Sequence, residues 1–131
     1  MTPTNTQIQS ALYDILIAAN LGYPIAYPGI DFTPPASGVW LEVTLFPNEG
    51  IDSGLGYSST TIPQGIFQVS AVDRPGNGVF PVTNAAQEVQ SAFPKGTTIA
   101  ESVRVQRSPY QMDPIFEGDR LYIPVTIPYS G

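Results

Sequence analysis

Leu121-Tyr122-Ile123-Pro124-Val125-Thr126-Ile127-Pro128 alternates without a break, with Leu121, Ile123, Val125 and Ile127 on one face and Tyr122, Pro124, Thr126 and Pro128 on the other. Period-two patterning rich in β-branched residues marks a strand. The two prolines add a direction. Every second N–H of a strand points to the same side, so Pro124 and Pro128 delete donors along one side only. The pattern therefore predicts either an edge strand or one that pairs mainly through its odd residues.

Working outward, residues 39–46 alternate in the same way, Val39, Leu41, Val43 and Leu45 against Trp40, Glu42, Thr44 and Phe46. Residues 61–72 read as a further strand with Phe67, Val69 and Ala71 on one face, and Pro63 with Gly65 predicts a bulge near its start. Residues 103–108 set Val103 and Val105 against Arg104 and Gln106, and one short strand fits at 25–27, inside a connector dense in proline and glycine. Between the strands at 39–46 and 61–72, residues 47–60 are rich in glycine and serine, at the roughly 12–15 residue length where loops are usually functional. They read as a flexible arm or hairpin tip.

Two segments carry the helical period instead. Thr4 and Gln7 fit a T-x-x-Q capping box, followed by Ile8, Ala11, Leu12, Ile15, Leu16 and Ala19 at i, i+3, i+4 spacing, with Gly22 suited to a left-handed stop and Pro24 beyond it. The turn cluster Asp73-Arg74-Pro75-Gly76-Asn77-Gly78 leads into a second helix from about Pro81 or Val82 to Phe93, with Ala85, Ala86, Val89, Ala92 and Phe93 on its buried face. The fold class is α+β: four to five strands in a mixed or antiparallel sheet, with two helices, in a single domain over 1–131.

Composition narrows the chemistry. The chain is 131 residues long, enough for one core, and 42% apolar content argues against disorder. Charged residues are only 12%, about half the usual ~25%, while glycine and proline number 12 and 14. No His and no Cys occur, which excludes disulfides, thiolate and imidazole metal sites and the Ser-His-Asp triad. No run of ~18 apolar residues and no signal-peptide pattern is seen, so a cytoplasmic, membrane-free protein is expected. Net charge is −6, placed unevenly: residues 1–73 hold Asp14, Asp31, Glu42, Glu49, Asp52 and Asp73 and no base. Without a basic patch no specific nucleic-acid binding is expected, since phosphate affinity comes mostly from Lys and Arg. The same asymmetry suits a head-to-tail contact between copies.

Carboxylates are the remaining acid–base candidates, and Asp113, Glu117 and Asp119 are the local cluster, read as solvated turn acids. The run Gly54-Leu55-Gly56-Tyr57-Ser58 matches neither G-x-x-x-x-G-K-[ST] nor G-x-S-x-G. No catalytic, cofactor-binding or metal residue is assigned, and no cofactor or enzymatic activity is expected. The candidate interface residues are Glu49, Asp52, Tyr57, Arg74, Arg104, Arg107 and Tyr110. They supply large amphipathic area and opposite charges for neighbouring copies. A carbohydrate-binding platform using Trp40 and Tyr57, and more distantly a carboxylate-pair hydrolase, are the readings from other classes.

The order of several short segments carries a resemblance. A short N-terminal helix is followed by Tyr27-Pro28-Gly29-Ile30-Asp31-Phe32-Thr33-Pro34-Pro35, Trp40-Leu41-Glu42-Val43 and Gly65-Ile66-Phe67-Gln68-Val69-Ser70 before a Pro-Gly-Asn-Gly turn. A helix ending Phe93-Pro94-Lys95-Gly96 and the closing Ile123-Pro124-Val125-Thr126-Ile127-Pro128-Tyr129 complete the order. Together they resemble the tail-terminator-like proteins of long-tailed bacteriophages over nearly the whole chain. The resemblance implies two helices packed on one face of the sheet and a noncatalytic virion protein that joins itself into a ring, typically a hexamer. Such a ring caps the tail tube, ends its polymerisation and presents a joining surface to head-completion proteins at the head-proximal end of the tail. It implies assembly in the host cytoplasm, with the tube protein as partner and DNA passing through the ring. Another neck or tail-tube component is the nearest alternative.

Overall fold

The computed structural model describes residues 3–52 and 61–131, with the side chains of all of these except 49–52 and 61. In chain order the elements are α1 (Asn5–Ala18), β1 (Ile25–Ala26), β2 (Trp40–Asp52), β3 (Thr61–Asp73), α2 (Phe80–Ala92), β4 (Thr98–Ala100), β5 (Val103–Val105), β6 (Tyr110–Gln111), β7 (Ile115–Glu117) and β8 (Arg120–Ser130). All described strands form one sheet ordered β1-β2-β3-β8-β5-β4, with β6 and β7 also paired to β8. Only β1 runs parallel to its neighbour, so the sheet is mixed.

The prolines of β8 explain this order. β8 lies inside the sheet, which overturns the edge-strand expectation and leaves pairing through odd residues as the observed arrangement. Toward β3 the register is unbroken from Gln64↔Ser130 to Asp73↔Leu121. On the other side, the carbonyls of Pro124 and Pro128 accept from the N–H groups of Met112 and Gln106, both at 2.9 Å. The N–H and C=O of a strand residue share a side, so this is the side from which the proline donors are missing. A continuous ladder cannot form there, and β7, β6 and β5 dock along it in turn.

That interruption also accounts for the strand count. Eight strands are present among the described residues rather than four to five. The unexpected ones, β4, β6 and β7, are two or three residues long, too short for an alternating pattern to show. Residues 47–52, read as part of a loop, are instead the far end of β2, because Asn48, Ile51 and Asp52 pair with Gln64, Ile62 and Thr61. The bulge lies opposite Pro63: two residues of β2 between Asn48 and Ile51 face that one residue of β3. The glycine-rich run at 54–58 is outside the described residues.

Thr4 caps α1 by the expected reciprocal box, its hydroxyl accepting from the Gln7 N–H at 3.2 Å while the Gln7 side chain accepts from the Thr4 N–H at 2.8 Å. The helix ends at Ala18, close to the expected Asn20–Gly22 stop, and the first left-handed residue after it is Asn20, which takes φ 52 and donates to the Ile17 carbonyl, with Gly22 left-handed two residues on at φ 87. Asparagine tolerates this left-handed conformation better than most residues. Both helices lie on the odd face of the sheet. Ile8, Leu12 and Leu16 from α1 and Val82, Ala85, Ala86 and Val89 from α2 share one core with Leu41, Val43, Phe67, Val69, Ala71, Ile123, Val125 and Ile127. At the end of that core Tyr129 crosses Gly65, where an added Cβ would sit 2.6 Å from both the Tyr129 hydroxyl and the Phe46 carbonyl. Glycine is required there by close approach, not by turn geometry.

Candidate functional site

The described surface offers no enclosed cavity with converging acid–base groups. Among the described residues no three carboxylates come together to hold a metal ion. Asp113 is exposed, Asp119 lies 3.7 Å from Arg74, and Glu117 accepts from the Tyr122 hydroxyl at 3.3 Å. Tyr122 is held above the ordinary tyrosine range by lost hydration and then by the Glu117 carboxylate. No helix among the described residues is long and apolar enough to cross a membrane. The features able to act are surfaces, and three can be built from the sequence upward.

The first lies on the even face of the sheet. Glu42 on β2 accepts from the Trp40 indole N–H at 3.2 Å and from Arg120 Nη2 at 2.8 Å, and the Arg120 guanidinium stacks 5.1 Å from the Tyr122 ring centre. Trp40 is only 3% exposed, so it forms no open sugar-stacking platform, and Tyr57 is outside the described residues. Arg74 closes this end: its guanidinium lies 5.8 Å from the Trp40 ring centre, donates to the Pro35 carbonyl at 3.3 Å and faces Asp119. Buried Asp73 holds the turn before it, accepting from the Arg74 N–H at 2.7 Å.

The second surface is a groove of about 410 Å³ between α1 and the segment after β1. Tyr13 and Tyr27 meet edge to face there at 4.9 Å, and Ile17 and Ile30 are 56% and 65% exposed. Asp14 lines it and Asp31 follows Ile30. Burial raises the Tyr13 phenol above its ordinary value, against the pull of the bond it accepts from Gln9.

The third is the strip 102–112. The buried side chains of Val103 and Val105 fix β5 in the sheet and leave Arg104 outside; Arg107 is exposed in the loop beyond. Gln90 of α2 donates to the Pro109 carbonyl at 2.9 Å and accepts from Gln111 at 3.2 Å, which positions β6 with Tyr110 49% exposed and Met112 47% exposed.

The expected interface residues thus fall in separate places. Arg104, Arg107 and Tyr110 share the third surface. Arg74 is engaged within the protomer near the first, since Asp73 pairs with Leu121 while Arg104 pairs with Ser130 nine residues on, about 30 Å along β8. Glu49 and Asp52 belong to β2 but their side chains, and all of Tyr57, lie outside the described residues. The sequence reading missed Tyr13, Ile17 and Ile30. Ile17 had a signal, being a large apolar residue off the helix's buried stripe.

A family model described as phage tail terminator protein matches residues 7–129. The chain belongs to the phage tail terminator family. Its match takes in α2, all of α1 but its first two residues, and all three surfaces. A solved structure without a descriptive name superposes with a TM-score of 0.78 at 25% identity, covering 97% of this chain and 94% of its own. A chain from the virion of a native gene transfer agent particle superposes with a TM-score of 0.58 at 18% identity, covering 96% of both chains, which shows the shared fold. No curated protein matches the sequence. The protein is a phage tail structural protein, and terminators are a structural family.

Proposed function

We propose that this chain forms a ring, a hexamer by the family resemblance, that caps the tail tube, ends its polymerisation and presents the surface to which head-completion proteins join. The observation that carries this reading is the terminator match over residues 7–129, nearly the whole chain. The physical character of the protomer supports it. Low charge and many Ser, Thr, Asn and Gln side chains suit repeated contacts with like subunits, and modest contacts gain tightness when a closed ring engages a tube end all at once. A net charge of −6 per copy, multiplied around a ring, disfavours gripping DNA and suits a passage through which DNA slides.

Capping follows from occupancy: a ring seated on the tube end covers the surface the next tube subunit needs. The hairpin of β2 and β3, with Glu49 and Asp52 near the far end of β2, is the arm assigned to the tube; Tyr57, in the sequence between the two strands, is assigned to it as well. The test is to add purified protein to tube subunits of the same phage as they polymerise and to measure tube lengths by electron microscopy. The expected outcome is a single added ring at one end and tubes that stop growing. Unchanged length distributions with bare ends would overturn the reading.

A further inference from the structure

Resting on the ring reading, we infer that the acidic groove between α1 and residues 27–30 is the socket for residues 102–112 of a second copy of this chain. The two surfaces are complementary in both charge and polarity. The socket exposes Ile17 and Ile30 against the Tyr13–Tyr27 wall, flanked by Asp14 and Asp31, in a half of the chain with no base. The strip exposes Tyr110 and Met112 with Arg104 and Arg107; exposed Glu101 and Asp113 bound it at its two ends, and no acid lies between them.

Internal pairing leaves these charges for a neighbour. Arg74 and Arg120 have carboxylate partners within the protomer, whereas among the described residues Arg104 and Arg107 have none, nor do Asp14 and Asp31 have a cation. Position matters as much as charge. The groove is built from α1 and the segment after β1, and the strip from β5, β6 and the loop between them; although α1 also packs against β4, socket and strip share no residue and are separate surfaces of one protomer. One copy can fill its neighbour's socket while its own socket receives a third copy. That is a heterologous contact, the kind that closes into a ring. Exposed ion pairs contribute little tightness, so the apolar insertion holds the contact and the four charges fix its orientation.

The test uses the full chain with two exposed double variants, Asp14→Lys/Asp31→Lys and Arg104→Glu/Arg107→Glu, whose folding is checked by circular dichroism. Sedimentation velocity and native mass spectrometry read association, and tube capping is scored separately. Each variant alone should associate at least tenfold more weakly than wild type. An equimolar mixture should recover, because a Lys-bearing socket accepts a Glu-bearing strip while the remaining native socket accepts the remaining native strip. The recovered rings should contain the two variants in equal numbers.

Wild-type association by either variant alone, or folded variants that fail to recover on mixing, would overturn the contact and assign the groove to another partner. Rings that form and recover as expected but do not cap tubes would support the contact and sink the terminator reading.

Discussion

At the scale of single residues, Gly65 and Tyr129 form a tightly constrained pair. An alanine at 65 would place its Cβ 2.6 Å from the Phe46 carbonyl as well as from the Tyr129 hydroxyl, so backbone must shift. Gly65→Ala should cost about 1–3 kcal/mol in urea unfolding, in the range of other overpacked sites. Truncating the tyrosine should not rescue it, because the carbonyl remains. Tyr129→Phe alone should behave oppositely. Among the described residues the buried hydroxyl has no hydrogen-bond partner, so its removal relieves a desolvation penalty, and the variant should match wild type or exceed it by up to about 1 kcal/mol. Burial raises the Tyr129 pKa above 10.0, so the stability held by its neutral form is intact below that pH and is lost as pH rises through the folded-state value. Tyr13 and Tyr23 are raised by burial in the same direction. Equilibrium unfolding followed against pH should show a decline beginning near pH 10, shallower in Tyr129→Phe.

At the scale of elements, both helices and the central stretches of the long strands follow short local rules that were legible, whereas the far end of β2 at 47–52 was not. The Thr4 box fixes where α1 begins, and no acidic residue in its first turn supplements it. Thr4→Ala should therefore cost about 1 kcal/mol, measured by thermal unfolding with Thr4→Ser as a near-neutral control. The alternation of residues 39–46 and 121–127 was readable because large aliphatic side chains fill the face turned to the helices, although the even face of β8 is also covered from Pro124 to Pro128. Periodicity carries no neighbour information, however. Two prolines on β8 were compatible with an edge or a one-sided ladder, and only the short strands β5, β6 and β7 along the proline side decide between them. Those strands were hard to see because two or three residues held by a neighbour's carbonyls need no pattern of their own. The same limit hid the Arg120–Glu42 pair, whose members are 78 residues apart in sequence.

At the scale of the whole molecule, the charge asymmetry between the halves of the chain was visible in the sequence, whereas the groove was not, since it needs α1 and the segment after β1 to meet. Of the expected contact residues, Arg104, Arg107 and Tyr110 emerge on one exposed strip, while Arg74 is held by Trp40, Pro35 and Asp119. On the proposed reading self-association falls to the groove and strip and tube docking to the β2–β3 hairpin, and that separation can be tested directly. Asp52 and Thr61 are paired across the hairpin, so residues 53–60 can be replaced by a two-residue Asn-Gly link suited to joining antiparallel strands. A shorter closure costs little entropy, and the unfolding free energy should stay within about 1 kcal/mol of wild type. If the arm serves only the tube, the shortened chain should associate with itself as wild type does in sedimentation velocity and yet leave growing tubes uncapped in electron micrographs. Capping at the wild-type level would remove the arm from the mechanism. Loss of self-association with the fold intact would instead place residues 53–60 in the contact between copies, and the division of labour would fail.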